Sequence, residues 1–259
     1  MYETILVARE GYGILVTLNR PAQMNALSRT LLRELSQALK EAEDNSEIRS
    51  IIISGAEKYF CAGADIGEVN QVKSPFAGYT HSKEFQKLFS EMEALKKPII
   101  AAVRGLALGG GLELMLACDF RLVAEDARLG LPEVNIGALP AGGGTVKLPR
   151  IVGAAKAKEM LFLGETITGR QAVEIGLVNK AVPADQVLDE ARTLARRLAE
   201  KPPLVLQVIK AVIRASAAVD QQTAMDIEAK GLAMLASTED FAEGSAAFLE
   251  KRKPNFRGR

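Results

Sequence analysis

Two glutamates lie in glycine-rich, apolar stretches in which no other residue carries a charge. Glu113 is the only charged residue in Gly105–Cys118, and Glu133 is the only one in Leu129–Val146. Carboxyl groups brought together in an apolar site cannot both ionise easily, so the pKa of one rises and the pair can divide acid and base roles at neutral pH. The two segments therefore predict a proton-transfer site.

Each glutamate also has a structural explanation. Glu113 follows Gly109-Gly110-Gly111 and can complement the dipole at the start of a helix, with the glycines serving packing. Pro132-Glu133 is typical of a helix start, where glutamate favours the first turn. In the functional interpretation, the three glycines let the backbone approach a ligand and leave amides free to point at developing negative charge. Each segment in isolation leaves both explanations open.

A third segment, Tyr59–Ile66, follows the apolar run Ile51–Ile53 and contains small residues that leave backbone amides accessible. Its alternative is an ordinary loop between a strand and a helix, with Asp65 near the helix start and Cys61 as a small buried filler. Taken alone, this segment fits the loop better than a binding site.

Several kinds of site and partner are excluded. No P-loop sequence occurs, and Gly109–Gly111 does not fit the dinucleotide-binding fingerprint. Cys61, Cys118 and the single histidine, His81, are too few for a zinc cluster, and no nucleophile-elbow sequence accompanies His81. A formal net charge of +1 produces no overall field toward nucleic acid or an anionic membrane. The N-terminus lacks a signal-peptide pattern, and no uncharged apolar run reaches the ~20 residues of a membrane helix. We therefore expect a cytoplasmic protein with no metal, no nucleic-acid partner and no membrane partner.

Short apolar runs alternate with helical patterns, which predicts an α/β fold. The first two runs flank a polar, glycine-containing turn and indicate a hairpin. Predicted strands are Ile5–Val7, Ile14–Val16, Ile51–Ile53, Ile99–Val103 and Phe120–Val123. Helices are expected from a Ser28 cap to about residue 43 and over about 79–96, the second after a loop at Lys73–Gly78. Because glycines become rare after residue 190, we divide the chain into a body, 1–190, and a helical region, 191–259, that packs on the body or on a neighbouring subunit.

Taken together, these segments resemble the crotonase superfamily, the enoyl-CoA hydratase/isomerase family, from about Val7 to Phe256. The motifs occur in the family's order: Asn19-Arg20-Pro21, Asn25-Ala26-Leu27, Phe60–Ile66, Lys97–Val103 followed by Gly105 and the triple glycine, Pro132-Glu133, Gly142–Thr145 and Phe248–Arg252. The resemblance implies a crotonase-like spiral of β-β-α units with a C-terminal helical trimerisation region, usually assembled as a dimer of trimers. It also implies an enzyme that acts on an acyl-CoA and needs no cofactor, because coenzyme A is part of the substrate.

The resemblance assigns roles to particular residues. The backbone N–H groups of Ala64 and Gly110 form an oxyanion hole for the thioester carbonyl. Glu113 orients and deprotonates the attacking water, and Glu133 donates a proton to the α-carbon. The substrate and CoA site would further include Ala22, Met24, Ala62, Asp65, Ile66, Gly109, Pro132, Gly137, Phe248 and Lys251. Both glutamates are present, which favours an enoyl-CoA hydratase, an enzyme that adds water reversibly and in syn fashion across the 2,3 double bond.

Two positions depart from the hydratase pattern. Ala22 and Gly67 stand where the pattern often has basic residues, so two candidate contacts to the CoA phosphates are missing. The cluster Lys251–Lys253 with Phe248, or Arg20, could supply them, although the cluster is also explained as a solvated basic tail. The alternatives that remain are a double-bond isomerase, a specialised hydroxyacyl-CoA dehydratase such as a carnitinyl-CoA dehydratase, and an RNA-binding or non-catalytic relative.

Overall fold

The structure is a computed structural model that describes residues 2–259. Alternating strands and helices confirm the predicted α/β class. The strands of this part of the chain are β1 (Ile5–Glu10), β2 (Gly13–Leu18), β3 (Ser50–Gly55), β4 (Ile99–Val103), β5 (Leu106–Leu108), β6 (Phe120–Ala124), β7 (Arg128–Gly130), β8 (Thr166–Thr168) and β9 (Lys180–Val182).

Eleven α-helices are present in residues 2–259: α1 (Arg29–Asp44), α2 (Ile66–Val69), α3 (Pro75–Ala94), α4 (Gly110–Leu116), α5 (Gly144–Val152), α6 (Ala154–Leu163), α7 (Gly169–Glu174), α8 (Val187–Ala199), α9 (Pro203–Ser216), α10 (Gln221–Leu235) and α11 (Glu239–Glu250). Short 3-10 turns occur at Pro21–Gln23, Pro132–Ile136 and Ala184–Gln186. None of these helices is both long enough and apolar enough to cross a membrane.

Two sheets form the body of the chain. The larger one has the order β1-β2-β3-β4-β6-β9, in which only the β1-β2 hairpin is antiparallel, and the smaller one has the order β5-β7-β8. The chain repeats a structural unit in which a strand of the large sheet is followed by a short strand of the small sheet and then by a helix. β4, β5 and α4 make one such unit. The segment after β3 occupies the equivalent position in the preceding unit, because Cys61 forms a parallel bridge with Ala107 of β5.

Polar caps set the starts of α1 and α3. Ser28 accepts a hydrogen bond from Leu31 N at 3.2 Å, and α1 ends at Asp44, as the sequence predicts. α3 begins earlier than predicted, because Ser74 caps it and Pro75 stands at a position where a missing N–H has no effect. The predicted loop at Lys73–Gly78 is therefore wrong from Pro75 onward.

The C-terminal helices remain attached to the body of the same chain. α8 packs on β3, β4 and β6, and α9 packs against α10. Arg49, which precedes β3, donates to Ala199 O and Phe256 O, and Lys210 of α9 pairs with Asp119 at 2.7 Å. Residue 190 lies inside α8, so the division of the chain at that position stays a prediction. Several large apolar side chains of this region are exposed: Ile213, Leu232, Met234, Phe248 and Leu249.

Candidate active site

Backbone hydrogen bonds hold the segment after β3 between two other parts of the chain. On one side, Leu27 N donates to Gly63 O at 2.8 Å, and Asp65 N donates to Leu27 O at 3.0 Å. On the other side, Cys61 N donates to Leu106 O, and the carbonyl of Cys61 accepts from the strand β5 that leads to α4. Residues 61–65 are therefore fixed beside the start of α4.

Two amide groups converge at this point. A Cβ added at Gly110 would lie 3.3 Å from Ala64 N, which is closer than an ordinary van der Waals contact, so the two backbones lie close together. Within residues 2–259, neither the Ala64 N–H nor the Gly110 N–H donates to a protein acceptor. Gly110 opens α4, so its N–H is one of the donors that a helix cannot satisfy internally. Two such donors are suited to stabilising an anionic oxygen.

Glu113 lies in the first turn of α4 and is only 3% exposed. Its Oε1 accepts a hydrogen bond from Gly144 N at 2.7 Å, at the start of α5. Burial raises the pKa of this carboxyl group, and the amides of Gly144, Gly142 and Gly143, together with the charge of Lys147, act against that rise. The geometry therefore gives the ionised form of Glu113 several partners.

Glu133 lies in the 3-10 turn Pro132–Ile136 and has a different environment. Its Oε2 is buried and has no hydrogen-bond partner within residues 2–259. Its Oε1 would be 3.0 Å from a Cβ at Gly109, whose φ of +53° combined with a ψ of −127° strongly favours glycine. Burial, reinforced by the charge of Glu113, raises the pKa of Glu133 to about 7. At neutral pH, Glu133 is the carboxyl that retains its proton more readily.

Asp65, predicted as a substrate-site residue, is engaged within the protein. Its carboxylate pairs with Arg20 at 2.8 Å, where each side chain is 19% exposed, and also caps α2 by accepting from Gly67 N. The guanidinium of Arg20 holds the pKa of Asp65 below its usual range. Arg20 also donates to Ala26 O. The pair therefore fixes the loop that carries the Ala64 amide. Because Asp65 and Ala26 O already bind its guanidinium, Arg20 is less available to contact a CoA phosphate.

The other predicted residues divide into two groups. Ala62 donates its N–H to Met24 O at 3.0 Å, and this contact brings Met24, in the left-handed region, beside the convergent amides. Five further predicted residues have these positions: Ala22 in the first 3-10 turn, Ile66 at the start of α2, Gly109 before α4, Pro132 at the start of the second 3-10 turn and Gly137 directly after it. Their contact with a substrate stays a prediction.

The structure does not bring Phe248 and Lys251 into this group within one chain. Phe248 is 84% exposed on α11, and Lys251 ends that helix in the left-handed region. In the part of the chain that the structure describes, no side-chain hydrogen bond or ion pair joins either residue to the glutamates. Their predicted contact with CoA stays a prediction.

Residues that the sequence analysis missed surround Glu113. Phe89 is fully buried, and its Cε2 would be 2.7 Å from a Cβ at Gly142. Lys147 pairs with Glu93 at 2.8 Å and lies over the Phe89 ring. An available signal was the position of Lys147, the first charge after the triple glycine Gly142–Gly144.

The site can stabilise negative charge on an oxygen while two carboxyl groups move protons beside it. That combination suits reactions that pass through an enolate of a carbonyl compound. Across residues 2–259, no group of three or more His, Cys, Asp or Glu side chains is arranged to hold a metal ion.

Comparison with known proteins identifies a family that acts on enoyl-CoA compounds. The sequence model described as Enoyl-CoA hydratase/isomerase matches residues 10–259. The chain is 42% identical to a probable enoyl-CoA hydratase of Bacillus subtilis and 40% identical to a crotonyl-CoA hydratase of Syntrophomonas wolfei, in each case over 98% of both proteins. The crystal structure of an enoyl-CoA hydratase from Bacillus anthracis superposes with a TM-score of 0.94 at 36% identity, covering 99% of this chain and 100% of that one. The crotonase-type α/β fold is thereby confirmed, and the chain belongs to the enoyl-CoA hydratase/isomerase family.

Proposed function

We propose that the protein is an enoyl-CoA hydratase, which adds water reversibly and in syn fashion across the 2,3 double bond of an enoyl-CoA thioester. The observation that carries the proposal is the unequal pair of carboxyl groups. Glu113 is surrounded by amide donors that favour its charged form, whereas Glu133 has a buried, unpartnered oxygen and a pKa of about 7. Hydration needs one base and one acid at the same time, and this pair supplies both.

The steps balance with these two groups alone. The thioester oxygen accepts hydrogen bonds from Ala64 N and Gly110 N, which makes the β-carbon more electrophilic. Water forms a bond to the β-carbon while its proton passes to Glu113, and the π electrons move toward the α-carbon and the carbonyl. The α-carbon then takes the proton of Glu133. The product is a 3-hydroxyacyl-CoA, and the two carboxyl groups have exchanged protonation states.

Each part of the machinery has a typical magnitude. One preorganised oxyanion donor contributes about 3 to 4 kcal/mol to lowering the barrier, and one acid or base contributes about 10² to 10⁴ in rate. A substrate with a short acyl chain is supported by the relative from Syntrophomonas wolfei, which is named a crotonyl-CoA hydratase. No cofactor beyond the CoA of the substrate enters this mechanism.

The proposed acyl-CoA site comprises the residues predicted from the sequence, with two assigned to a second subunit. Ala22, Met24, Ala62, Ile66 and Gly109 belong to the copy that carries the glutamates. Asp65 acts by fixing the loop, Pro132 and Gly137 frame Glu133, and Phe248 and Lys251 come from an adjacent copy in a trimer or a dimer of trimers. The exposed apolar side chains of the C-terminal helices are consistent with such an assembly.

The test is the decrease in the conjugated enoyl-thioester absorbance when purified protein meets crotonyl-CoA. We expect rapid loss with the unaltered protein and at least a hundredfold slower loss with Glu113→Gln and with Glu133→Gln. Glu174→Gln, at an exposed position at the end of α7, is the matched control and should retain full activity. An inactive wild type that still binds CoA esters would refute hydration and favour the isomerase or the specialised dehydratase. Binding of RNA instead of CoA esters would refute the acyl-CoA site altogether.

A further inference from the structure

Lys147 places a buried ammonium group close to the carboxyl pair. Its Nζ is within 2.8 Å of Glu93 Oε1 on α3 and 5.7 Å from the centre of the Phe89 ring. The Nζ atom is buried, although the side chain as a whole is 20% exposed. A lysine carries a large desolvation penalty in such a place unless anionic groups surround it, so its position needs an explanation beyond surface solubility.

The ammonium and the carboxylate of Glu113 lie against the same short turn. A Cβ at Gly143 would be 3.1 Å from Lys147 Cε, and a Cβ at Gly142 would be 2.6 Å from Glu113 Oε2. The backbone closes this arrangement, because Lys147 N donates to Gly143 O at 2.8 Å. Two adjacent glycines therefore separate a buried cation from a buried carboxyl group.

Phe89 adds a second connection between the same two groups. Its Cε2 would be 2.7 Å from the Cβ position of Gly142, and its ring faces the ammonium of Lys147. Because Phe89 is fully buried, water does not screen the charge on this side of the turn. A cation acts over a longer distance in such surroundings than at a surface.

Within residues 2–259, no cation lies beside Glu133 as Lys147 lies beside Glu113. The charged groups that face Glu113 are Glu133 from the 3-10 turn and Lys147 from α5, with Glu93 of α3 behind Lys147. Glu93 forms an ion pair with the ammonium, although Nζ has no hydrogen-bond partner within residues 2–259, and the charge of Glu93 cancels part of the field of Lys147. The structure thus places the cation on one side of the carboxyl pair only.

We propose that Lys147, held by Glu93, is a positioning residue that keeps Glu113 ionised and so directs the shared proton to Glu133. The proposal rests on the function proposed above and deepens it by naming the group that sets the direction of proton transfer. Lys147 does not touch the reacting atoms and acts through Glu113. Removing its charge should let the proton occupy Glu113 at neutral pH, where that carboxyl can no longer accept a proton from water.

The test compares Lys147→Met and Lys147→Gln with Lys147→Arg, which keeps the charge. In the pH profile of kcat/KM for crotonyl-CoA hydration, the acidic limb should move to higher pH by about one unit in the Met and Gln variants. It should remain in place in the Arg variant. Lys156→Met removes a comparable lysine from the Lys156–Glu159 ion pair on α6 and serves as the matched control.

Infrared difference spectra supply a readout that does not depend on turnover. In the unaltered protein at neutral pH, the main protonated carboxyl band should be that of Glu133, identified by its loss in Glu133→Gln. In Lys147→Met, a second band should appear, and it should be assigned to Glu113 by its loss when Glu113→Gln is added. An acidic limb and spectra that are unchanged in folded Lys147→Met or Lys147→Gln would overturn the proposal. If neither variant folds, the inequality of protonation should change in folded Glu93→Gln, which removes the ion-pair partner of Lys147, and persist in Lys147→Arg. An inequality that is unchanged in Glu93→Gln, or lost in Lys147→Arg, would overturn the proposal. Failure of the unaltered protein to hydrate crotonyl-CoA would refute the function, and the spectra would still decide the role of Lys147.

Discussion

Replacing Glu133 by glutamine is expected to stabilise the fold at alkaline pH while it removes the proposed acid. The pKa of Glu133 is about 7 in the folded protein, against an ordinary value of 4.5. The folded state therefore binds more protons than the unfolded state between these two values, and stability falls as the pH rises through this window. Above it, the carboxylate, with one buried and unpartnered oxygen, opposes folding in full.

The magnitude follows from the difference between the two pKa values. Each unit corresponds to about 1.4 kcal/mol, so the raised pKa of Glu133 lowers stability by about 3 kcal/mol above pH ~8. Near pH ~5, where Glu133 is ionised mainly in the unfolded chain, it lowers stability by about 1 kcal/mol. Glutamine carries no charge but buries an amide without partners, which offsets about 1 to 2 kcal/mol of the gain at every pH. The stability difference between Glu133→Gln and wild type should thus grow by about 2 to 3 kcal/mol from pH ~5 to pH ~8.5.

Scanning calorimetry at a series of pH values measures this difference. For a chain of this length, it corresponds to a rise of about 4 to 6 °C in the Tm of Glu133→Gln relative to the unaltered protein as the pH increases. Glu174→Gln controls for the loss of one negative charge, because the Glu174 side chain is exposed and makes no ion pair within residues 2–259. A Tm difference that stays constant with pH in Glu133→Gln would refute the assignment of a raised pKa to this carboxyl group.

Two further substitutions test how the site is positioned. Gly142→Ala should lower kcat about a hundredfold, because its Cβ would lie 2.6 Å from Glu113 Oε2 and displace the base. Gly78→Ala, whose Cβ would meet only ordinary contacts inside a helix, is the control and should leave kcat unchanged, and equal effects of the two would contradict the argument. Asp65→Asn breaks the pair with Arg20 that holds the oxyanion loop, so kcat should fall about tenfold to a hundredfold with little change in the affinity for CoA; a fall in affinity alone would mean that Asp65 contacts the substrate directly.

The features that could be predicted from the sequence depend on local chemistry. Ser28 caps its helix as expected, because a hydroxyl before a helix finds an amide three residues later regardless of the fold. The two glutamates could be selected because each is the only charge in an apolar stretch. In both cases the signal lies within a few residues of the feature that it predicts.

The features that could not be predicted depend on distant parts of the chain. The pairing of Lys147 with Glu93 joins α5 to α3, and the pairing of Arg20 with Asp65 joins the first 3-10 turn to the loop after β3. Charge and spacing in the sequence do not determine which distant carboxylate a cation meets, because the packing of whole elements decides it. The position of Phe248 is harder still to predict, since its proposed role requires a second copy of the chain.

The two glycine-rich segments make sense only as a pair. Gly109, which precedes Glu113, leaves the space that the carboxylate of Glu133 occupies. Gly142, which follows Glu133, leaves the space that the carboxylate of Glu113 occupies. Each segment therefore supplies one carboxyl group and accommodates the other. The two carboxyl groups differ in their hydrogen bonds. Glu113 accepts from the Gly144 amide at the start of α5, whereas the buried Oε2 of Glu133 has no donor within residues 2–259. The glycines therefore serve both explanations given for them: they begin helices, and they leave free amides and space beside the carboxyl groups. Amides left free at the start of α5, together with the proposed effect of the Lys147 charge, favour the ionised form of Glu113 and leave the proton on Glu133.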